Sequence, residues 1–300
     1  MTSSVVQGSV IGPVLFLIFI NDIDELTRVY KYADDSKFGR QIRNANDAAT
    51  LQSDLNGVAQ WAATNGMTLH PQKTVVVHFG HKNPCNTYTL LGLPVTESSC
   101  VKDLGVQINA NCTPSDHVTK ITKKANAVLA QLRRATVSRS KEMVIGFYKT
   151  YVRPLLESSV QTWSPWLRRD VDNIEKIQRR ATKLVSGIGS MTYEDRLKEC
   201  GLTSLEDRRK RGDLIECFKI VNGFVDYGKT NFFSFTKDRH SLNTRSAEGG
   251  LLVPEKTTLD IRKNFFPCRV VTAWNELPLE IRMASSVNSF KNEYDLYFNT

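Results

Sequence analysis

Hydrophobic positions follow several distinct patterns along the chain. Residues 14–22 are apolar nearly all round and Pro13 suits the first turn of a helix, so this stretch predicts a helix buried on most sides. Residues 29–39 place short apolar and aromatic runs on either side of a turn, a hairpin pattern with the neighbouring acids Asp34 and Asp35 at its tip. In residues 46–61, Ala48, Leu51, Leu55, Val58 and Trp61 recur in steps of three and four, which predicts an amphipathic helix. Residues 75–79 form a β-branched run ended by Gly80, and residues 102–108 read as a further short strand. This first part is α+β, with a small antiparallel sheet and helices.

Beyond residue 110 the period is helical. With Thr113 or Ser115 as its cap, one helix lines a face with Val118, Ile121, Ala125, Val128, Leu129 and Leu132. Its other face carries Lys120, Lys123, Lys124, Gln131 and Arg134. Residues 141–153 predict a second helix, stopped by Pro154, with Val144, Phe147, Tyr148 and Tyr151 inward. A third turns Val171, Ile174, Ile177, Ala181, Leu184 and Val185 inward and Lys176, Arg179, Arg180 and Lys183 outward, ending near Gly187. Thr192 and Gly201 bracket a short helix. Residues 204–222 form another, whose Arg208, Arg209, Lys210 and Arg211 read as surface charge. The aromatics after Phe224, among them Phe232, Phe233, Phe235, Phe265, Phe266 and Trp274, are expected to pack back on these helices.

Charge changes the picture more than overall composition does. Residues 1–110 carry 8 Lys/Arg against 9 Asp/Glu, residues 111–211 carry 21 against 11, and residues 212–300 carry 11 against 11. The whole excess of the +9 chain therefore lies in one middle segment. Such a block suits a polyanion, nucleic acid before membrane, or else a solvated basic helical surface. The six cysteines are widely spaced with no C-x-x-C pair, which points to reduced thiols in an intracellular protein. His78, His81 and Cys85 lack a fourth ligand at suitable spacing, so no zinc site is expected there. The apolar run at residues 10–20 is too short to span a bilayer and has neither the basic flank nor the cleavage site of a signal peptide.

The acid pair at the hairpin tip is the candidate for chemistry. Two adjacent carboxylates in a turn can lean toward one cation, and Mg²⁺ is usually held by one or two carboxylates plus substrate phosphates. Taken alone, Asp34-Asp35 reads more readily as an ordinary surface turn, and what lies on either side decides between the two.

Four motifs together carry a resemblance. The series Gln7-Gly8-Ser9-Val10-Ile11-Gly12-Pro13, Tyr32-Ala33-Asp34-Asp35, Gly66-Met67-Thr68-Leu69-His70-Pro71-Gln72-Lys73 and Lys102-Asp103-Leu104-Gly105-Val106 resembles the reverse transcriptase of non-LTR (LINE-type, jockey/CR1-like) retrotransposons. Similarity continues through Trp163-Ser164-Pro165, Ile177-Gln178-Arg179-Arg180-Ala181-Thr182-Lys183 and Arg211-Gly212-Asp213-Leu214-Ile215 to Val270-Val271-Thr272-Ala273-Trp274-Asn275-Glu276-Leu277-Pro278.

The resemblance implies an incomplete polymerase palm over residues 1–110, a basic helical thumb over 111–190 and a mixed helical C-terminal region over 191–300. It implies Asp34 and Asp35 as catalytic metal ligands for two Mg²⁺ ions, Lys73 as the proton donor to pyrophosphate, and Gln7, Gly8, Ser9 and Tyr32 around template and nucleotide. Leu104 and Gly105 match the primer grip. Lys120, Lys123, Lys124, Lys176, Arg179, Arg180 and Lys183 would track a nucleic-acid backbone. The implied partners are an RNA template, a DNA primer and dNTPs, with no membrane, in the nucleus and cytoplasm. Ser4 and Val6 depart from the family's Gly-x-Pro-Gln-Gly pattern. The fingers and a first palm strand with a further Asp would precede residue 1, so these 300 residues alone are expected to have little polymerase activity. A non-catalytic nucleic-acid-binding remnant using residues 111–211, and a translated relic without function, remain the other readings.

Overall fold

The computed structural model describes residues 8–25, 29–225, 228–236 and 250–299, the side chains of Asp24, Glu25, Lys229 and Asn299 aside. The chain divides into two compact units, one of residues 1–101 and 109–111, the other of residues 102–108 and 112–300.

The first unit opens with α1 (Gly12–Ile20) and a 3₁₀ turn (Asn21–Glu25), followed by β1 (Val29–Tyr32) and β2 (Asp35–Phe38), which pair antiparallel. Helix α2 (Ala45–Thr64) begins where the Asn44 side chain accepts the Asp47 N–H. Phe16, Ile20 and Ile23 pack on Val58 and Trp61 of α2, and Leu55 meets Tyr88, Leu90 and Val95 in a second small cluster. The expectation that α1 is buried on most sides fails. Val14, Leu15, Leu17, Ile18 and Phe19 are 40–68% exposed, because a helix apolar all round can give α2 only one face.

No single antiparallel sheet forms among the described residues. β3 (Val75–Val76) is far shorter than the 75–79 run and pairs in parallel with β6 (Thr96–Glu97), while β4 (Thr89–Leu90) pairs antiparallel with β5 (Leu93–Pro94). The strand expected at 102–108 is a hairpin of β7 (Cys100–Asp103) and β8 (Val106–Asn109). Leu104 (φ 43°) and Gly105 (φ 92°) both adopt the left-handed backbone of a tight two-residue hairpin turn.

The second unit is helical. Its core joins α3 (Ser115–Ala135), α4 (Lys141–Phe147), α5 (Arg153–Glu157), α6 (Val160–Trp163), α7 (Arg168–Lys183), α8 (Tyr193–Glu199) and the start of α9 (Leu205–Val221). Neither Thr113 nor Ser115 caps α3; Pro114 holds the cap position, and the Ser115 hydroxyl donates instead to Asp170, 2.6 Å away. Pro154 does not stop the second helix. It lies in the first turn of α5 after a π-helical turn at Tyr148–Val152, which leaves Tyr151 exposed.

Helix α9 carries the remaining cluster. Its Leu214, Cys217 and Phe218 pack with Phe233, Phe235, α12 (Phe266–Glu276) and α14 (Val287–Asn299), which follow α10 (Lys229–Phe232), α11 (Asp260–Lys263) and, between them, α13 (Leu279–Arg282). Phe218 stacks on Phe290 with centroids 4.5 Å apart and Trp274 is fully buried, so the C-terminal aromatics do pack back on the helices.

The tetrad on α9 is not surface charge. Arg208 makes a bidentate pair with Glu157, Arg211 makes one with Asp295 at 2.6 Å, and Arg209 is 4% exposed; Lys210 alone is exposed, 3.2 Å from Glu206.

A polar network locks α7 to its neighbours. Gln178 has no exposed surface; it accepts from Tyr148 Oη (2.8 Å) and donates to Tyr193 Oη (3.0 Å), Thr203 O (3.0 Å) and Glu175 Oε1 (3.3 Å). Glu175 also accepts from Tyr193 and from the Leu205 N–H at 3.0 Å. Burial pushes both tyrosine hydroxyls up, so they stay protonated donors. Replacing Gln178 by Leu strands these groups, and denaturant unfolding is expected to show a loss of about 2–4 kcal/mol; a change below about 0.5 kcal/mol would refute the network's role.

His117 supplies a second, titratable tie. Its Nδ1 accepts the Gln107 N–H at 3.1 Å, which needs an unprotonated nitrogen, and its ring meets Trp163 at 4.8 Å. Burial, and then the Lys120 charge, hold its pKa below the ordinary 6.5. The unfolded chain therefore takes this proton more readily, so the contribution of His117 is complete above pH 6.5 and is lost as pH falls toward the depressed value. Thermal midpoints followed from about pH 7 to 5 should decline in the wild type and decline less in His117→Gln, whose amide oxygen can still accept. Parallel profiles would exclude His117 as the source.

Candidate functional site

The acidic hairpin is built by local register. Tyr32 faces Asp35 across the turn and Tyr30 faces Lys37, so these four share one face, and Val29 and Lys31 lie on the other, half-buried. Ala33 takes a left-handed backbone (φ 51°), a conformation that tightens the turn and leaves Asp34 and Asp35 beside each other at its end. Both carboxylates are exposed, and neither makes a hydrogen bond or ion pair among the described residues. Tyr32 is 65% exposed.

Lys31 fixes this hairpin in place. Its Nζ donates to the carbonyls of Ile20 (3.1 Å) and Asn21 (3.3 Å), so a cation on the hairpin's inner face closes the C-terminal end of α1. The sequence reading missed Lys31, although a lysine between two outward tyrosines in an alternating strand marks an inward position.

The other candidates occupy different surroundings. Gln7 lies outside the described residues. Gly8 (φ 89°) is exposed at a turn, and Ser9 Oγ accepts the Gly12 N–H at 3.1 Å. Lys73 is exposed in a turn where its own N–H bonds to His70 O at 3.0 Å, and it makes no ion pair among the described residues. Leu104 and Gly105 form the tip of the β7–β8 hairpin and belong to the second unit. His78 stacks on Tyr88, with Nε2 3.8 Å from Glu97, and Cys85 is exposed. Among the described residues no group of three or more His, Cys, Asp or Glu is placed to hold a metal ion. Nor is any helix there long and apolar enough to cross a membrane.

The basic candidates contrast with Arg208, Arg211 and Arg269 of the second unit, each held by a carboxylate. Lys120, Lys123, Lys124, Lys176, Arg179, Arg180 and Lys183 are all exposed on α3 and α7, and none pairs with a carboxylate among the described residues. Their contacts are neutral: Lys120 to Gln107 (3.0 Å), Lys176 to Asn173 (3.2 Å), Arg180 to Asn126 (2.6 Å), and Arg179 over the Tyr193 ring at 4.0 Å. The Arg180–Asn126 bond crosses from α7 to α3 and joins the two basic stripes.

The family described as reverse transcriptase (RNA-dependent DNA polymerase) matches residues 2–108, the segment that holds the acid pair. The chain is similar to RNA-directed DNA polymerases of non-LTR mobile elements. It is 24% identical over 202 residues to the RNA-directed DNA polymerase from mobile element jockey of Drosophila melanogaster. It is 26% identical over 213 and 200 residues to the probable RNA-directed DNA polymerases from transposon BS and transposon X-element of the same species. Each match covers 62% of this chain and 22% of the relative, so the chain spans about a fifth of the length of these curated relatives. No solved structure matches it.

The tie between Lys31 and α1 is directly testable. In Lys31→Met, amide hydrogen exchange over residues 29–38 is expected to rise roughly tenfold or more, the order of a lost charged hydrogen bond, with residues 115–135 unchanged. Unchanged exchange in the hairpin would remove Lys31 as its anchor.

Proposed function

We propose that the chain is part of an RNA-directed DNA polymerase, with its acidic hairpin at the reaction centre and its basic helices on the nucleic-acid backbone. The observation that carries this reading is the unpartnered Asp34–Asp35 pair at a hairpin tip inside the segment that matches the reverse transcriptase family. Two adjacent carboxylates fit the protein's share of a Mg²⁺ site, since that ion takes its remaining oxygens from water and substrate phosphates. Bound between primer and nucleotide, Mg²⁺ supplies stabilisation of the attacking and leaving oxygens of an in-line displacement, two ions in all.

The chain's own groups take the remaining roles. Asp34 and Asp35 hold the metal, and Tyr32, on the same face as Asp35, lies beside the primer terminus. Gln7, Gly8 and Ser9 position template and nucleotide, Lys73 gives its proton to the departing pyrophosphate, and Leu104 and Gly105 steady the primer. Lys120, Lys123, Lys124, Lys176, Arg179, Arg180 and Lys183, which have no carboxylate partner among the described residues, bind the template–primer backbone without reading sequence. Residues 1–110 act as the palm, 111–190 as the thumb, and 191–300 as a helical extension.

Catalysis needs several groups held in place together, and the described residues bring no third acid to the pair. The 300 residues alone are therefore expected to bind template–primer without extending it. That binding reading has its own support in the uncompensated cations, and it stands independently of the chemistry. Purified chain should bind an RNA–DNA duplex at low salt. Combined Lys123→Glu, Arg179→Glu and Arg180→Glu should weaken binding by about tenfold or more, and Asp34→Asn should leave it unchanged. Primer extension with Mg²⁺ and dNTPs would overturn the inactivity of these residues alone, and absent binding at low salt would overturn the backbone role.

A further inference from the structure

One buried cation in the helical unit has no counter-ion. Arg209 of α9 is 4% exposed, and among the described residues neither Nη1 nor Nη2 has a hydrogen-bond partner. A guanidinium does not deprotonate in a protein, so this charge is buried as a charge, and leaving it unpaired is strongly unfavourable. The carboxylates whose fields reach it are Glu175, Glu206, Asp213 and Glu157, and each is already engaged. Glu175 accepts from Tyr193 and the Leu205 N–H; Glu157 holds Arg208; Asp213 holds Arg269 through two bonds of 2.8 and 2.9 Å; Glu206 lies 3.2 Å from Lys210.

Arg209 lines a cavity of about 360 Å³ bounded by the Ser164–Trp166 segment, the first turn of α7, α9 and α12. Its wall holds four cations, Arg168, Arg209, Lys210 and Arg269, against two carboxylates; Arg269 is held by Asp213, Lys210 by Glu206 and Arg168 by Asp172 at 3.1 Å, which leaves Arg209 as the one without a carboxylate of its own. The Trp166 ring is half-buried there and stacks on no other ring among the described residues. Helix α7 starts at this wall with no side-chain cap at Leu167 and with Asp170 in its first turn. An unpaired buried guanidinium, a net-positive wall and a free indole converge on one ligand chemistry: a phosphate that carries an aromatic base.

We propose that this cavity is a nucleotide-phosphate site in which Arg209 receives the phosphate and Trp166 stacks on the attached base. It is separate from the acidic hairpin and from the outward cations of α3 and α7, and it does not rest on the polymerase reading. The phosphate can come from a free nucleotide or from a nucleic-acid strand, and the two share these contacts.

The test uses the full chain at fixed ionic strength, with thermal shift and tryptophan fluorescence as readouts and three probes: inorganic phosphate, a nucleoside monophosphate and a short single-stranded oligonucleotide. The monophosphate is expected to bind more tightly than inorganic phosphate and to perturb Trp166 fluorescence. Arg209→Met should weaken every probe by about tenfold or more, the loss expected for a charged hydrogen bond, and should not lower the thermal midpoint without ligand. Should that variant misfold, Trp166→Ala and Arg168→Gln, both at less buried positions, carry the same test for the monophosphate. Lys123→Glu with Arg179→Glu should leave monophosphate binding intact, which separates this site from the backbone-binding faces. A tighter oligonucleotide than monophosphate assigns a strand, and the reverse assigns a free nucleotide. Absence of binding by all three probes, or affinities unaffected by Arg209→Met and Trp166→Ala, would overturn the site.

Discussion

The helical unit depends on the complete burial of an amide that must find four partners. Gln178 can occupy its place only if Tyr148, Tyr193, Glu175 and the Thr203 carbonyl all lie where they do. That requirement fixes α7 against the π-helical turn, α8 and the start of α9 in one geometry, where apolar packing alone would tolerate sliding. Because the inner face of α7 is held this way, its outer face is fixed as well, and Arg179 and Arg180 stand on that face at defined positions. Arg196 adds to the same lock, donating to Thr182 at 3.1 Å and to Met191 O at 2.6 Å.

Cations in this unit then divide by whether the fold neutralises them. Arg208, Arg211 and Arg269 are each clamped to a carboxylate and join segments far apart in sequence, which makes them part of the architecture. Among the described residues the candidate cations of α3 and α7 meet only amides and an aromatic ring, so their charge faces solvent without a carboxylate beside it. Arg209 belongs to neither group, being buried and uncompensated at once. The acidic hairpin shows the converse arrangement, two carboxylates without partners among the described residues while Lys31 of the same hairpin binds the end of a helix.

Much of this was legible in the sequence wherever the information was local. The outward positions of α3 and α7 follow from the 3.6-residue period, the caps at Thr192 and Ser204 from residue type, and the hairpin turn from the runs flanking Asp34 and Asp35. What escaped depends on partners distant in the chain. Arg208 and Arg211 read as surface charge because Glu157 and Asp295 are 51 and 84 positions away. Residues 14–19 read as core because an apolar pattern asks for burial without naming what covers it, and α2 covers only one side. Gly105 within residues 102–108 carried the signal for a turn, and the strand expected there became a hairpin around it. Roles at the acid pair rest on the resemblance, since exposure and register alone show two free carboxylates and not their use.

The central claim is that the fold leaves a defined set of cations uncompensated for a nucleic-acid backbone. The most direct measurement is the salt dependence of duplex binding by the wild-type chain. If Lys120, Lys123, Lys124, Lys176, Arg179, Arg180 and Lys183 each neutralise one phosphate, the slope of log K against log salt is about −6. A slope near zero, with binding that persists unchanged as salt rises, would contradict the account.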